Sequence, residues 1–100
     1  MKAEIKFVHM DTSTTLENFV NEKIKHAEHK YPWILKSKVT FEKLNNNNGI
    51  NKKCNIIGVI PGADKFATAT AQTYQGAFKK ALFEVEKQLE KRKQQMKCYI

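Results

Sequence analysis

The sequence predicts an α+β protein of two layers: a mixed four-stranded sheet with two helices on one face, in the order β-α-β-β-β-α. Three observations carry this. Four short stretches alternate polar with apolar residues or are rich in β-branched ones, the mark of strands. Two longer stretches repeat their apolar residues at spacings of three and four, the mark of amphipathic helices. An alternating-alanine segment then leads directly into the second helix, which suggests a strand face with a helix packed close above it.

Each element follows in turn. In "AEIKFV" the residues Ala3, Ile5 and Phe7 fall two apart, with Glu4 and Lys6 between, as on a half-buried first strand. "DTSTT" offers two possible N-caps: Ser13, or Thr14 in a capping box with Glu17. Leu16, Phe19, Val20, Ile24, Ala27 and Tyr31 then form one stripe on a helix that ends before Pro32. "SKVTFEKL" reads as a second strand, with Val39 and Phe41 facing one way. "NNNNGINKK" is a polar, mobile hairpin connection.

"CNIIGVI" is a third strand, apolar on both faces, stopping at Pro61-Gly62; "KFATATAQ" is a fourth, with Ala67, Ala69 and Ala71 on the side expected beneath a helix. Thr73 is a plausible N-cap for the second helix. Its stripe holds Tyr74, Phe78, Ala81, Leu82, Val85, Leu89 and Met96, with Ala77 off to one side, and its helical pattern is firm to about residue 93. A strand, a helix and a second strand make a right-handed crossover between parallel strands, and the remaining strands form an antiparallel meander.

With 100 residues the chain is expected to form one domain over 1–97 and a short tail at 98–100. The 41% hydrophobic content argues for a packed globule rather than a disordered basic tail. A net charge of +8 favours a polyanionic partner, either nucleic acid or an acidic membrane. The opening stretch has no apolar run that would make a signal peptide or a membrane span, so a cytoplasmic location is expected. Cys54, on a strand, and Cys98, in the tail, read as free thiols.

The search for catalytic motifs is negative. The sequence holds no glycine-rich phosphate loop, HExxH, CxxC or nucleophile elbow, so neither catalysis nor a cofactor is expected. His26 and His29, beside Glu22 and Glu28, could form a surface metal pair, but a protein site normally needs three ligands; no metal is expected.

The basic residues are unevenly spread. Residues 73 to 97 carry seven positive and three negative charges, with Lys79, Lys80, Lys87, Lys91 and Lys97 directed away from the core stripe. Such a helix read alone is a solvated surface, with Glu84 spaced to pair with Lys80 and Lys87. Arg92 departs from that picture, since it sits about 40° from the core stripe where an apolar residue belongs. Beyond Leu89 the helix is expected to outrun the sheet and carry its basic end into solvent. The first helix is neutral by count, and a second basic cluster gathers Lys36, Lys38, Lys43, Lys52 and Lys53 against Glu42. Nothing resembles a major-groove recognition helix, which favours RNA over DNA.

The element order, "TLENFVNEKIKHAEHKY" on the first helix, "ATATAQTYQGAF" at the strand–helix junction and "ALFEVEKQLEKRKQQ" on the second helix together resemble the ribosome hibernation-promoting factors, the family that also contains protein Y. The resemblance runs from residue 1 to about 97. It implies a cytosolic stress protein that binds the small ribosomal subunit in the channel used by messenger RNA and transfer-RNA anticodon stems. Such a protein silences idle ribosomes by occupancy and makes or breaks no bond. It also implies that basic residues of both helices meet ribosomal RNA phosphates. Lys23, Lys87, Lys91 and Lys93 stand where the family is usually basic.

The whole interface expected on these grounds is Lys23, Lys25, His26, Lys30, Lys79, Lys80, Lys87, Lys91, Arg92 and Lys93. The sequence departs from the family pattern at His26 (often lysine), at Lys79 (often acidic or amide) and at Thr73 (often aspartate). The partners implied are the small subunit and its RNA, with no membrane and no small-molecule substrate. Long members add a C-terminal domain that pairs ribosomes, and this chain is expected to have none of its own. Two alternatives remain: a general RNA-binding or chaperone module, and a protein-interaction regulator of a transcription factor.

Overall fold

The computed structural model describes residues 3–45 and 49–97, apart from the side chains at 63 and 95–97. Part of the expected Asn-rich connection, at 46–48, lies outside the described residues. So do the tail at 98–100 with Cys98, and the side chains of Met96 and Lys97. The elements run β1 (Glu4–Val8), α1 (Thr14–Lys30), β2 (Lys36–Lys43), β3 (Lys52–Ile60), β4 (Ala63–Ala71) and α2 (Tyr74–Lys97). This is the predicted order.

The sheet order is β1-β2-β3-β4. β1 pairs parallel with β2, with Ile5 opposite Val39 and Phe7 opposite Phe41. β2–β3 and β3–β4 pair antiparallel, with Val39 opposite Ile56 and Ile56 opposite Ala67. Strand periodicity sorts the side chains onto two faces. On the helix side Val39, Phe41, Cys54, Ile56 and Ile60 are buried. On the other side β3 keeps Ile57 and Val59 half-buried and β4 leaves Phe66 65% exposed. The two-sided apolar character of "CNIIGVI" is therefore real, and only one side has a cover.

That cover is α1 and α2. Ser13 caps α1, its hydroxyl accepting from the Leu16 N–H at 3.2 Å, so the alternative start at Thr14 is not used. Leu16, Val20, Ile24 and Ala27 are buried, and Tyr31 closes the helix just before Pro32. Thr73 caps α2, its Oγ1 accepting from the Gly76 N–H at 3.0 Å. A Cβ on Gly76 would lie 3.0 Å from that hydroxyl and 3.4 Å from the Cβ of Ala71, so glycine permits the tight strand-to-helix turn.

α2 buries Ala77, Phe78, Ala81, Val85 and Leu89. Ala77 is fully buried although helical phase sets it about 100° from Phe78. The reason is the alanine surface of β4, which lets α2 settle deep enough to bury a wider arc than the stripe of large residues suggests. Phe78 holds the layers together, packing edge-on against Phe19 of α1 at 5.7 Å between centroids and tilted against Phe41 of β2 at 6.3 Å. Burial of Cys54 pushes its thiol up to about 12, so it stays protonated and acts as a small apolar core residue.

Candidate nucleic-acid interface

Both helices run opposite to strands that are themselves co-directional, so α1 and α2 lie parallel. Phe19 meets Phe78 at one end of their seam and Tyr31 meets Glu90 at the other, where the phenol donates to Glu90 Oε2 at 2.9 Å. The seam is a groove, and lysines from both helices stand over its two aromatic rings. Lys23 and Lys79 lie 5.7 and 6.0 Å from the Phe19 centroid. Lys30 and Lys93 lie 5.7 and 5.9 Å from that of Tyr31.

A ring face attracts a cation without neutralising it, so these ammonium groups are positioned and still able to meet a phosphate. The rings orient the charges; they do not consume them. Burial, the hydrogen bond to Glu90 and the nearby charge of Glu86 together push the Tyr31 phenol up to about 12, so it remains a donor to Glu90. Glu90 and Glu86 thus place negative charge near the Tyr31 end of the seam.

The ten expected residues do not form one patch. Lys23, Lys30, Lys79 and Lys93 line the groove, and exposed His26 shares their flank of α1 by helical phase. Lys25 is exposed on the opposite side of α1, away from α2. Lys87 stands on the outer surface of α2, 5.1 Å from the exposed Phe83 ring and 3.5 Å from Glu84. Its charge is already shared with that carboxylate. Lys80 reaches toward the β4 edge, its Nζ 3.5 Å from the Thr70 carbonyl.

Lys91 and Arg92 lie on that same flank, in a hollow of about 300 Å³ lined also by Lys65 and Gln88. Arg92 does not project into solvent as the sequence suggested. Its Nη2 would be 3.5 Å from a Cβ placed on Gly62, so the guanidinium folds over the β3–β4 turn and closes the end of the sheet.

The second basic cluster divides between two places, with exposed Lys38 on the open face of the sheet beside Lys36 and Lys53. Lys36 pairs with Glu4 at 2.8 Å and Lys53 with Glu42 at 3.8 Å, both on the open face of the sheet. Lys43 and Lys52 are cross-strand neighbours at the N-terminal end of α2, where they share a concavity with His9, Met10, Asp11 and Tyr74. His9 adopts a left-handed backbone there, with φ of 57°. Among the described residues no three His, Cys, Asp or Glu side chains gather to hold a metal ion.

Sequence reasoning missed three participants. The rings of Phe19 and Tyr31 were assigned only to the core, although Lys23 follows Phe19 by four residues, a spacing that stacks side chains on a helix. Lys65 was passed over, although it shares the two-residue phase of Ala67, Ala69 and Ala71 and so had to face α2.

Fold and surface together define a small α+β protein with a lysine-rich helix layer. Residues 3–97 match the family described as "Sigma 54 modulation protein / S30EA ribosomal protein", and the chain belongs to that family. Its fold is shared with a ribosomal subunit interface protein from Coxiella burnetii at a TM-score of 0.79, with 19% identity over 93% of this chain and 98% of that one. The N-terminal domain of Thermus thermophilus protein Y is similar at a TM-score of 0.74, with 15% identity over 91% of this chain and 98% of that one. No curated protein matches the chain by sequence.

Proposed function

We propose that this protein is a ribosome-binding translation regulator that occupies the messenger and transfer RNA channel of the small subunit and silences idle ribosomes. The observation that carries this is the groove, in which Lys23, Lys79, Lys30 and Lys93 stand over two rings and, among the described residues, none of the four makes an ion pair. Cations held in this way meet RNA phosphates without reading base sequence. The family's ribosomal description and the subunit-interface name of the Coxiella protein support the choice of RNA.

Occupancy alone performs this role, so the reading assigns no catalytic step, cofactor or small-molecule substrate. Residues 1–97 act in it as one ribosome-binding domain. The site is cytoplasmic, where ribosomes are; among the described residues no helix is long and apolar enough to cross a membrane.

Sedimentation of the purified protein with small subunits at physiological salt tests the reading, together with its effect on translation in vitro. Co-sedimentation and slowed translation are expected. Failure of both overturns the proposal. Equal affinity for unrelated duplex RNA would point instead to a general RNA-binding module, and binding to an acidic protein without RNA affinity to a regulator of a transcription factor.

A further inference from the structure

We infer that Lys65, Lys91 and Arg92, gathered beside the β3–β4 turn on the flank of α2 away from α1, form a binding site for a phosphate group. This deepens the ribosomal reading and rests on it for the carrier of the phosphate; the cluster itself is read from geometry alone. Lys65 arrives from β4 on the helix-facing side, and Lys91 and Arg92 arrive from α2. Gln88 lines the same hollow and donates through Nε2 to the Phe66 carbonyl at 2.9 Å, fixing α2 against β4 at this level. Gly62, with φ of 91°, gives the turn a bare backbone against which the Arg92 guanidinium lies.

Charge supplies the second part of the argument. The hollow of about 300 Å³ is lined by three cations and an amide and by no carboxylate. Among the described residues none of the three cations makes an ion pair, whereas Lys36, Lys53 and Lys87 each do. Like charges held together repel, and an anion seated among them removes that penalty. Arginine offers a planar fork that bonds two oxygens at once and the lysines add point charges, a donor set suited to the several oxygens of a phosphate. A single carboxylate would leave two of the three charges unanswered.

The site lies across α2 from the Phe19–Tyr31 groove. A polynucleotide gripped at both would hold α2 from two sides, and the two contributions would be separable. A free phosphate compound would use only the hollow.

Two-dimensional amide NMR of the full chain, titrated in one arm with inorganic pyrophosphate and in the other with a short RNA duplex, tests the inference. Saturable shifts at Gly62, Lys65 and Arg92 are expected, and their loss in Lys65→Ala/Arg92→Gln with the remaining spectrum intact. Shifts in both arms, or with RNA alone, assign the site to the RNA backbone, whereas shifts with pyrophosphate alone assign it to a free phosphate compound; each supports the site. In the RNA arm the double variant should flatten the salt dependence of binding by about 0.7 to 0.9 of a logarithmic unit per lost contact, and Arg92→Lys should retain most of it. No shift at these three amides in either arm overturns the inference. If wild-type protein does not sediment with small subunits, the ribosomal reading falls, and the pyrophosphate arm still decides the site.

Discussion

The open face of the sheet, with Lys6, Lys36, Lys38 and Lys53, carries fewer lysines than the two helices, and the structure treats the two sets differently. On the open face Lys36 and Lys53 are matched to Glu4 and Glu42. In the helix layer Lys23, Lys30, Lys79 and Lys93 are held over rings, and Lys65, Lys91 and Arg92 line a hollow free of carboxylates. A matched cation is already satisfied, whereas a cation on a ring still carries its full charge outward. What distinguishes an interface for a polyanion is therefore the state of its charges, and a count of basic residues cannot supply that.

The aromatic residues repeat the contrast and give the largest expected effect. Phe78→Ala, which removes the ring joining α1, α2 and β2, should lower unfolding stability by about 3 to 5 kcal/mol. Phe66→Ala on the open face should cost less than about 1 kcal/mol, since that ring is mostly in solvent. Denaturant titration measures both, and equal losses would mean that the open face is also part of the core.

Within the groove, Tyr31→Phe keeps the ring beneath Lys30 and Lys93 and removes the hydrogen bond to Glu90. A loss of about 1 kcal/mol is expected, with RNA affinity nearly unchanged. A sharp fall in affinity would instead make the phenol itself a contact.

Cys54 offers a kinetic test of the core between the two faces. In a Cys98→Ser background at pH 8 its thiol should react with a thiol reagent only as fast as the protein opens, because burial pushes its titration up to about 12. Since the folded state favours the neutral thiol, this contribution to stability is complete below the ordinary thiol value and fades as pH rises toward 12. Prompt reaction in the folded protein would contradict the packing described.

The smallest effect concerns Glu4. The hydrogen bond and charge of Lys36 hold its carboxyl below the ordinary 4.5. Its stabilising contribution is thus present above that ordinary value and is lost as pH falls through the lower folded one. Lys36→Met should return the Glu4 midpoint, followed by carboxyl NMR, to the usual range. A midpoint unmoved by that change would show that the open-face pair is not formed in solution.

Most of the fold was legible in the sequence because it is written in local periodicity. The two-residue alternation of "ATATA" and the stripe from Leu16 to Tyr31 each assign a face without knowledge of the partner element. Thr73 as a cap was equally local. The candidate interface was legible only by residue type. Placing Lys79 over Phe19 requires knowing that α1 and α2 lie parallel and in register across some sixty residues of chain. The fate of Arg92 depended on a turn thirty residues upstream, and the pairing of Lys36 with Glu4 depended on the pairing of β1 with β2. Such contacts are tertiary, and no spacing within one segment encodes them.

The salt dependence of small-subunit binding tests the central claim most directly. Lys23→Gln/Lys79→Gln, which strips the Phe19 end of the groove, should flatten the logarithmic slope by about 1.4 to 1.8. Lys36→Gln/Lys53→Gln, which removes the same number of charges from the open face, should leave it unchanged. Equal flattening by the two pairs, or flattening by the open-face pair alone, would contradict the account.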